Sequence, residues 1–305
     1  MAVTSTGSDA RALAVLHGRT VAYVDRAYSG PSGPTGAPVL LVHGIGSSAD
    51  TWGPVHELMA GARRVLAVDL PGHGRSDTGN GDYSLGAMAS TLRDLLDSLQ
   101  VDRVHLVGHS LGGGISLQFA YQFPERVASL TLESSGGLGT EVFAGLRAAS
   151  LPGAEIVLRM LAGRRVRAVA AWLGELSDLA HRRPHAVSER ALETVSAWSD
   201  PGRRAAFLAT LRSVVGPDGQ RVSALERLSL VDPSRVLLIW GDRDPMIPVD
   251  HGVQAHALLP GSQLVIFPGS HHEPHLDDPA RFADLVVAHV AACEVATVAG
   301  AVSGA

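Results

Sequence analysis

Lysine is absent from this chain of 305 residues, and all 25 of its lysine-or-arginine positions are arginine. Together with abundant Ala and Gly, that reads as the coding bias of a GC-rich genome and excludes nothing by itself. Cysteine occurs once, at Cys293, which rules out an internal disulfide. A single thiol in an apolar stretch is expected to be a small buried packing residue. Positive charge is in deficit: the formal net charge is −5, against the balance of a general nucleic-acid binder. The first ten residues have neither a basic start nor a long apolar run, so no signal peptide is expected. Residues 285–305 are apolar and carry a Gly300/Gly304 pair, but His289 and Glu294 interrupt them. Their last half is mostly Ala, Gly, Ser and Thr, whereas a span needs roughly 20 strongly apolar residues. The expectation is a core-packing helix that frays at its end, with no membrane span and a cytoplasmic location.

What the chain does contain is core-forming material. Hydrophobic residues make up 46% and charged residues 18%, which favours a packed domain over disorder. The length suits one large domain, or a domain with an insertion. Runs rich in β-branched residues predict strands at 12–16, 20–25, 39–43, 64–69, 104–108, 127–133, 236–241 and 263–267. Several are continuously apolar, such as Val236-Leu237-Leu238-Ile239-Trp240, which marks strands covered on both faces. Helical patterns alternate with them. Leu85, Met88, Leu92, Leu95, Leu96 and Leu99 form one apolar stripe, and Ser84 is placed to cap that helix. A second helix follows Ser110, and a last one follows Pro279. This alternation predicts an α/β fold, with a mostly parallel sheet and helices on both faces. The two opening strands, joined by a short turn, are expected to be antiparallel. Residues 30–36 form a Gly/Pro loop whose prolines lack the N–H groups of a phosphate cradle.

Between residues 138 and 228 the rhythm breaks into helices with no convincing strand. Arginine is frequent there: Arg147, Arg159, Arg164, Arg165, Arg167, Arg182, Arg183, Arg190, Arg203, Arg204 and Arg212 are among those that fall in it. The bland account is a solvated helix face; the sharper one is an anionic substrate group held by one or two of them. A helical block inserted between core strands is expected to lie as a lid over the sheet edge. The core is then 1–137 with 229–305, and the lid is 138–228.

The chemistry centres on Gly108-His109-Ser110-Leu111-Gly112. An apolar run precedes this G-x-S-x-G pattern and a helical run follows it. Strand, sharp turn and helix would lift the serine off the sheet edge. The flanking glycines avoid collisions with the neighbouring backbone. The competing account is a serine that merely caps the helix. Nucleophilic catalysis also needs a base, an acid to orient it, and donors for an oxyanion. The Leu111 amide follows the serine at the helix start. His43-Gly44-Ile45-Gly46, after a buried strand, offers the Ile45 amide as a second donor. For the acid, Asp244 lies in the loop Gly241-Asp242-Arg243-Asp244-Pro245, with Asp242 as near rival and Glu133 as a more distant one. The base must be a histidine, because only a group that titrates near neutrality can take and return the proton. His271, His272 and His275 compete, and composition does not choose among them. With Glu273 they form a dense local cluster that matches no strong zinc pattern. No metal and no cofactor are expected.

Together these motifs resemble the α/β-hydrolase superfamily across most of the chain, in its serine-nucleophile branch with a helical cap. The order Ser, Asp, His matches that family. Asp69-Leu70-Pro71-Gly72-His73-Gly74-Arg75-Ser76 resembles its loop after the fourth strand. The family's G-x-x-D-x-x-x-P run places its acid on Asp244. Its G-H-x-P-x-x-x-x-P run, through Pro274 and Pro279, places its base on His272, with His271 at the usual glycine site. The resemblance implies catalytic Ser110, Asp244 and His272, and a cap over residues 138–228. It argues against epoxide and carbon–halogen chemistry, which uses an Asp nucleophile. Relatives that hydrolyse carbon–carbon bonds often carry Asn before the serine and Trp after the histidine; here those sites are His109 and Glu273. The expectation is a cofactor-free hydrolase of a small-molecule carboxylic ester, thioester or lactone. The alternatives are carbon–carbon hydrolysis of a diketo acid, or a non-catalytic ligand-binding protein on the same fold.

Overall fold

A computed structural model describes residues 11–29, 36–163 and 194–303, with side chains through residue 296. Ten strands are described. Eight form one sheet in the order β1-β2-β4-β3-β5-β6-β9-β10. They are β1 (Arg11–Leu16), β2 (Arg19–Arg26), β3 (Val39–Val42), β4 (Val65–Val68), β5 (Val104–His109), β6 (Val127–Glu133), β9 (Val236–Gly241) and β10 (Gln263–Phe267). β1 and β2 are antiparallel to each other, β2 is antiparallel to β4, and the remaining pairs are parallel. The expected α/β class, the eight strands and their mostly parallel order are therefore present.

Every residue of β3, β4, β5 and β9 is buried. The unbroken apolar runs of β3, β4 and β9 follow from helices on both faces. One face carries α2 (Leu85–Ser98), α3 (Leu111–Gln122) and α7 (Asp250–Leu258). Leu92, Leu95 and Leu96 of the α2 stripe are fully buried there, and the Ser84 side chain accepts from the Ala87 amide at 3.3 Å. The other face carries α1 (Gly53–Ala60) and the final helix, α9 (Pro279–Ser303). Phe282, Val286 and Val290 recur every fourth residue on α9 and are wholly buried. Each such side chain contributes about 1.5–3 kcal/mol by leaving water. Cys293 is buried on the same helix. Among the described residues, no helix is long and apolar enough to cross a membrane.

The insertion after β6 brings one correction. Its described parts contain α4 (Ala144–Ala149), α5 (Ala154–Leu161) and α6 (Pro201–Val214), but also a hairpin of β7 (Val215–Gly216) and β8 (Gly219–Gln220). Two-residue strands are too short to show alternation. The turn also needs Gly219 at φ 127°, a conformation that side chains disfavour. Four described arginines brace the fold: Arg147 donates to Pro217 O, Arg204 to Trp198 O, Arg203 to Gly74 O, and Arg212 to Ser150 O, Leu151 O and Glu155. Arg159 is exposed on α5. Arg164, Arg165, Arg167, Arg182, Arg183 and Arg190 lie outside the described residues, as does the loop over 30–35.

Because β3 to β6, β9 and β10 run parallel, their carboxyl ends share one edge. The loops after them meet there, where ligands bind in open α/β sheets.

Candidate active site

Ser110 stands between β5 and α3 with φ 54° and ψ −116°. A positive φ at a residue other than glycine costs of order 1–3 kcal/mol and persists only where the surroundings enforce it. Here the Ser110 N–H donates to Glu133 O at 2.9 Å, and its carbonyl accepts from Gly113 at 3.0 Å and Gly136 at 2.9 Å. The flanking glycines leave no alternative. A Cβ on Gly108 would lie 2.4 Å from Gly112 O, and one on Gly112 would lie 2.1 Å from Val42 O. The Ser110 side chain makes no capping bond to α3, so the cap account of this serine fails.

The loop carrying Ile45 follows β3. His43 pins it: Nδ1 donates to Gly44 O at 2.7 Å, and Nε2 accepts from the Leu70 amide at 3.1 Å. Burial drives His43 down to about 4, so the ring is neutral. Asp69 braces the loop from below, accepting from the amides of Ala49 at 2.6 Å and Arg75 at 2.8 Å. Ser76 Oγ donates to Asp69 O and accepts from the Ala22 amide. The 69–76 motif thus supports the loop that holds Ile45. Among the described residues, neither the Ile45 N–H nor the Leu111 N–H has a protein acceptor. Leu111 is the first residue of its helix, where amides have no intrahelical partner.

His272 follows β10 and Asp244 follows β9, its neighbour in the sheet. Asp244 Oδ2 lies 2.8 Å from His272 Nδ1, and Oδ1 accepts from the amides of Met246 at 2.8 Å and Ile247 at 3.0 Å. The Trp240 indole donates to Ile247 O and holds this loop down. The Asp244 carboxylate is fully buried, while 15% of the His272 side chain remains exposed. Burial pushes Asp244 up, but the bonds from His272, Ile247 and Met246 together outweigh it and hold the carboxyl below its usual range. An ionised carboxylate only accepts, so Nδ1 of His272 carries a hydrogen, and in the neutral ring Nε2 then presents a lone pair.

The rival residues go elsewhere. Asp242 accepts from the Gly269 amide at 2.7 Å, a turn contact. His271 is exposed, and its amide donates to Asp277. Glu133 and His275 are both fully buried and pair with each other at 2.9 Å. The His272 ring lies 4.8 Å from the ring of His109, the residue before Ser110. Among the described residues, no group of three or more His, Cys, Asp or Glu side chains is placed to hold a metal ion.

The α/β-hydrolase fold family matches residues 37–279, most of the chain. The chain belongs to that family. An uncharacterized protein of Mycobacterium tuberculosis is 44% identical over 259 residues, covering 83% of this chain and 74% of that protein. The 2-hydroxy-6-oxo-6-phenylhexa-2,4-dienoate hydrolase of Burkholderia cepacia is 27% identical over 245 residues, covering 78% and 82%. Among solved structures, the esterase RhEst1 from Rhodococcus sp. ECU1013 aligns with a TM-score of 0.69 at 25% identity, covering 95% of this chain and 99% of that one. The family's members are hydrolases, and carbon–carbon hydrolases of meta-cleavage products stand beside esterases among this chain's relatives.

Proposed function

We propose that the protein is a serine hydrolase that cleaves a small or medium carboxylic ester, thioester or lactone through an acyl-enzyme. The observation that carries this is the 2.8 Å bond between His272 and a fully buried, ionised Asp244, at the sheet edge where Ser110 is held in a strained elbow. In this proposal Nε2 of His272 takes the Ser110 proton as Oγ attacks the carbonyl carbon. Asp244 keeps the ring in the Nδ1–H tautomer and stabilises the cation that forms. The amides of Ile45 and Leu111 receive the oxyanion, and one such fixed donor is worth about 10²–10³ in rate. His272 then protonates the leaving group. Water, activated by the same ring, releases the acid. Residues 138–228 serve as a cap. Phe207 of α6 and Thr194 crowd Gly46, and Thr194 Oγ1 donates to Gly46 O at 3.0 Å, contacts with the loop that holds Ile45 that support this reading.

The kinship with the Burkholderia cepacia hydrolase favours a second reading, carbon–carbon hydrolysis of a diketo acid at the same site. One panel tests both. Aryl esters of increasing acyl length are assayed beside a vinylogous diketo acid, with parent and Ser110→Ala. Ester turnover is expected to dominate and to fall roughly 10⁴–10⁶-fold in Ser110→Ala. Parental ester turnover in the variant, with contamination excluded, refutes the proposal. Diketo-acid turnover far above any ester selects the second reading.

A further inference from the structure

Behind Ser110 lies a polar layer that the reaction above does not use. Glu133, at the end of β6, accepts through Oε1 from the His275 amide at 2.8 Å and faces His275 Nδ1 at 2.9 Å. His275 Nε2 is 3.1 Å from Thr51 Oγ1, in the turn that follows the Ile45 loop. The His275 ring lies on Trp52, with centroids 4.4 Å apart. This assembly is a sealed floor, with Glu133, His275 and Trp52 fully buried.

His109 rests on that floor. Its ring centroid is 5.2 Å from that of His275, 6.5 Å from that of Trp52 and 4.8 Å from that of His272. Its Nε2 lies 2.9 Å from the carbonyl oxygen of His272. A carbonyl only accepts, so Nε2 carries the hydrogen. Burial draws His109 down to about 3, which leaves the ring neutral and Nδ1 bare. Among the described residues Nδ1 has no partner. It faces Gly44, where a Cβ would come within 2.9 Å of it. One nitrogen is therefore left unsatisfied while the other holds the backbone of His272, and no other described group bonds to that carbonyl. Asp244 fixes the tautomer and rotation of the His272 ring but not the position of its backbone. His109, covalently joined to Ser110, ties the backbone of His272 directly to that of its neighbour Ser110.

We propose that His109 is a positioning residue that sets the place of the His272 ring over Ser110 through its bond to the His272 carbonyl. The proposal rests on the roles given above to Ser110, Asp244 and His272. It extends to any substrate that site accepts.

Two variants separate this bond from packing. His109→Phe keeps a ring and removes the donor; His109→Gln restores an N–H near the Nε2 position. Each is assayed on an aryl ester well below its own melting temperature, with active sites counted by an organophosphonate that labels Ser110. His109→Phe is expected to lower kcat about tenfold, the scale of one neutral hydrogen bond, with KM unchanged. His109→Gln is expected to regain most of the loss. If the Phe variant does not fold, His109→Asn, whose amide is too short to reach the carbonyl, takes its place. Parental kcat without the donor overturns the proposal. So does equal loss in the Gln variant and the donorless one, because packing then explains the effect. Parental turnover in Ser110→Ala overturns the catalytic reading and this proposal together. A Ser110-dependent parent with a fully active donorless variant overturns this proposal alone.

Discussion

Asp244 and His272 are 28 residues apart in the chain, yet the carboxylate Oδ2 sits 2.8 Å from ring Nδ1. The sheet makes this contact. β9 and β10 are adjacent and parallel, with Gly241 opposite Phe267, so the loops after them leave the same edge side by side. A Cβ on Gly241 would lie 2.0 Å from His271 O, so the close approach of the two loops depends on the missing side chain. Asp244 accepts from two amides as well as from the imidazole, so it is already fixed before a substrate arrives.

That geometry separates the two candidate acids. Asp244→Asn removes the charge that selects the Nδ1–H tautomer, and kcat is expected to fall by about 10⁴. Asp242→Asn disturbs only a turn contact to Gly269, and kcat is expected to stay within a few-fold of the parent, about the effect of one exposed hydrogen bond. His271→Ala should leave kcat near the parental value, since His271 is exposed and its one described bond is made by the backbone amide. Steady-state kinetics on one aryl ester, with the three variants side by side, is the check. Similar losses in the Asp242 and Asp244 variants would sink the assignment.

The elbow glycines make a second prediction, about stability. Gly112→Ala puts a methyl group against Val42 O at 2.1 Å, and Gly108→Ala puts one against Gly112 O at 2.4 Å. Neither neighbour is a flexible side-chain end that can swing aside. Both variants are expected to lose about 1–3 kcal/mol, the usual cost of overpacking. Gly53→Ala is the control, because a Cβ there meets nothing within 4 Å. Thermal melts of the three variants give the comparison, and an unchanged melt for Gly112→Ala would contradict the packing described here.

The sheet was legible because its strands obey a local rule. Val236 to Trp240 is continuously apolar since helices cover both faces, and burial of that kind shows directly in composition. Ser110 and its glycines were legible for a related reason, since a strained turn tolerates few residue types. Glu133 stood out only as a rival acid; its pairing with His275 depends on which strand lies beside which and has no local signal. The bond from His109 to the His272 carbonyl was invisible for the same reason, because its acceptor is backbone and any residue supplies one. Asp69 and Ser76 resembled a family loop without revealing why. Their partners, the amides of Ala49 and Ala22, are likewise backbone groups distant in sequence.

Cys293 allows a direct test of how α9 packs. The residue is 5% exposed, and burial raises the thiol above its ordinary value, which suppresses the reactive thiolate. Alkylation by a maleimide is expected to be slow in the native protein and fast in denaturant, with rates differing by the fraction of time α9 is detached. Mass spectrometry of timed samples reads this directly. Rapid native labelling would mean that the end of α9 leaves the core readily.

Stability is expected to fall as pH drops below about 6.5, and the buried histidines give the reason. Burial lowers His43 to about 4, His73 to about 3, His105 to about 4 and His109 to about 3. For a base with a depressed folded pKa, the stabilisation is complete above its unfolded value near 6.5. Below that value the unfolded chain holds the extra proton, so stability is lost as pH falls from about 6.5 toward about 4. Each such histidine contributes up to about 1.4 kcal/mol per pH unit in that window. Glu133 acts in the opposite sense. Burial raises it to about 7, so the folded state holds its proton and gains stability as pH falls from there to 4.5. Burial lowers His289 as well, so five histidines against one carboxyl leave a net loss in acid. Urea melts across this window should show stability falling as pH falls, with a shallower slope in His73→Gln. That substitution removes one titrating ring and leaves the Asp244–His272 pair untouched. A flat profile, or an unchanged slope in the variant, would mean that these rings are not held neutral by burial.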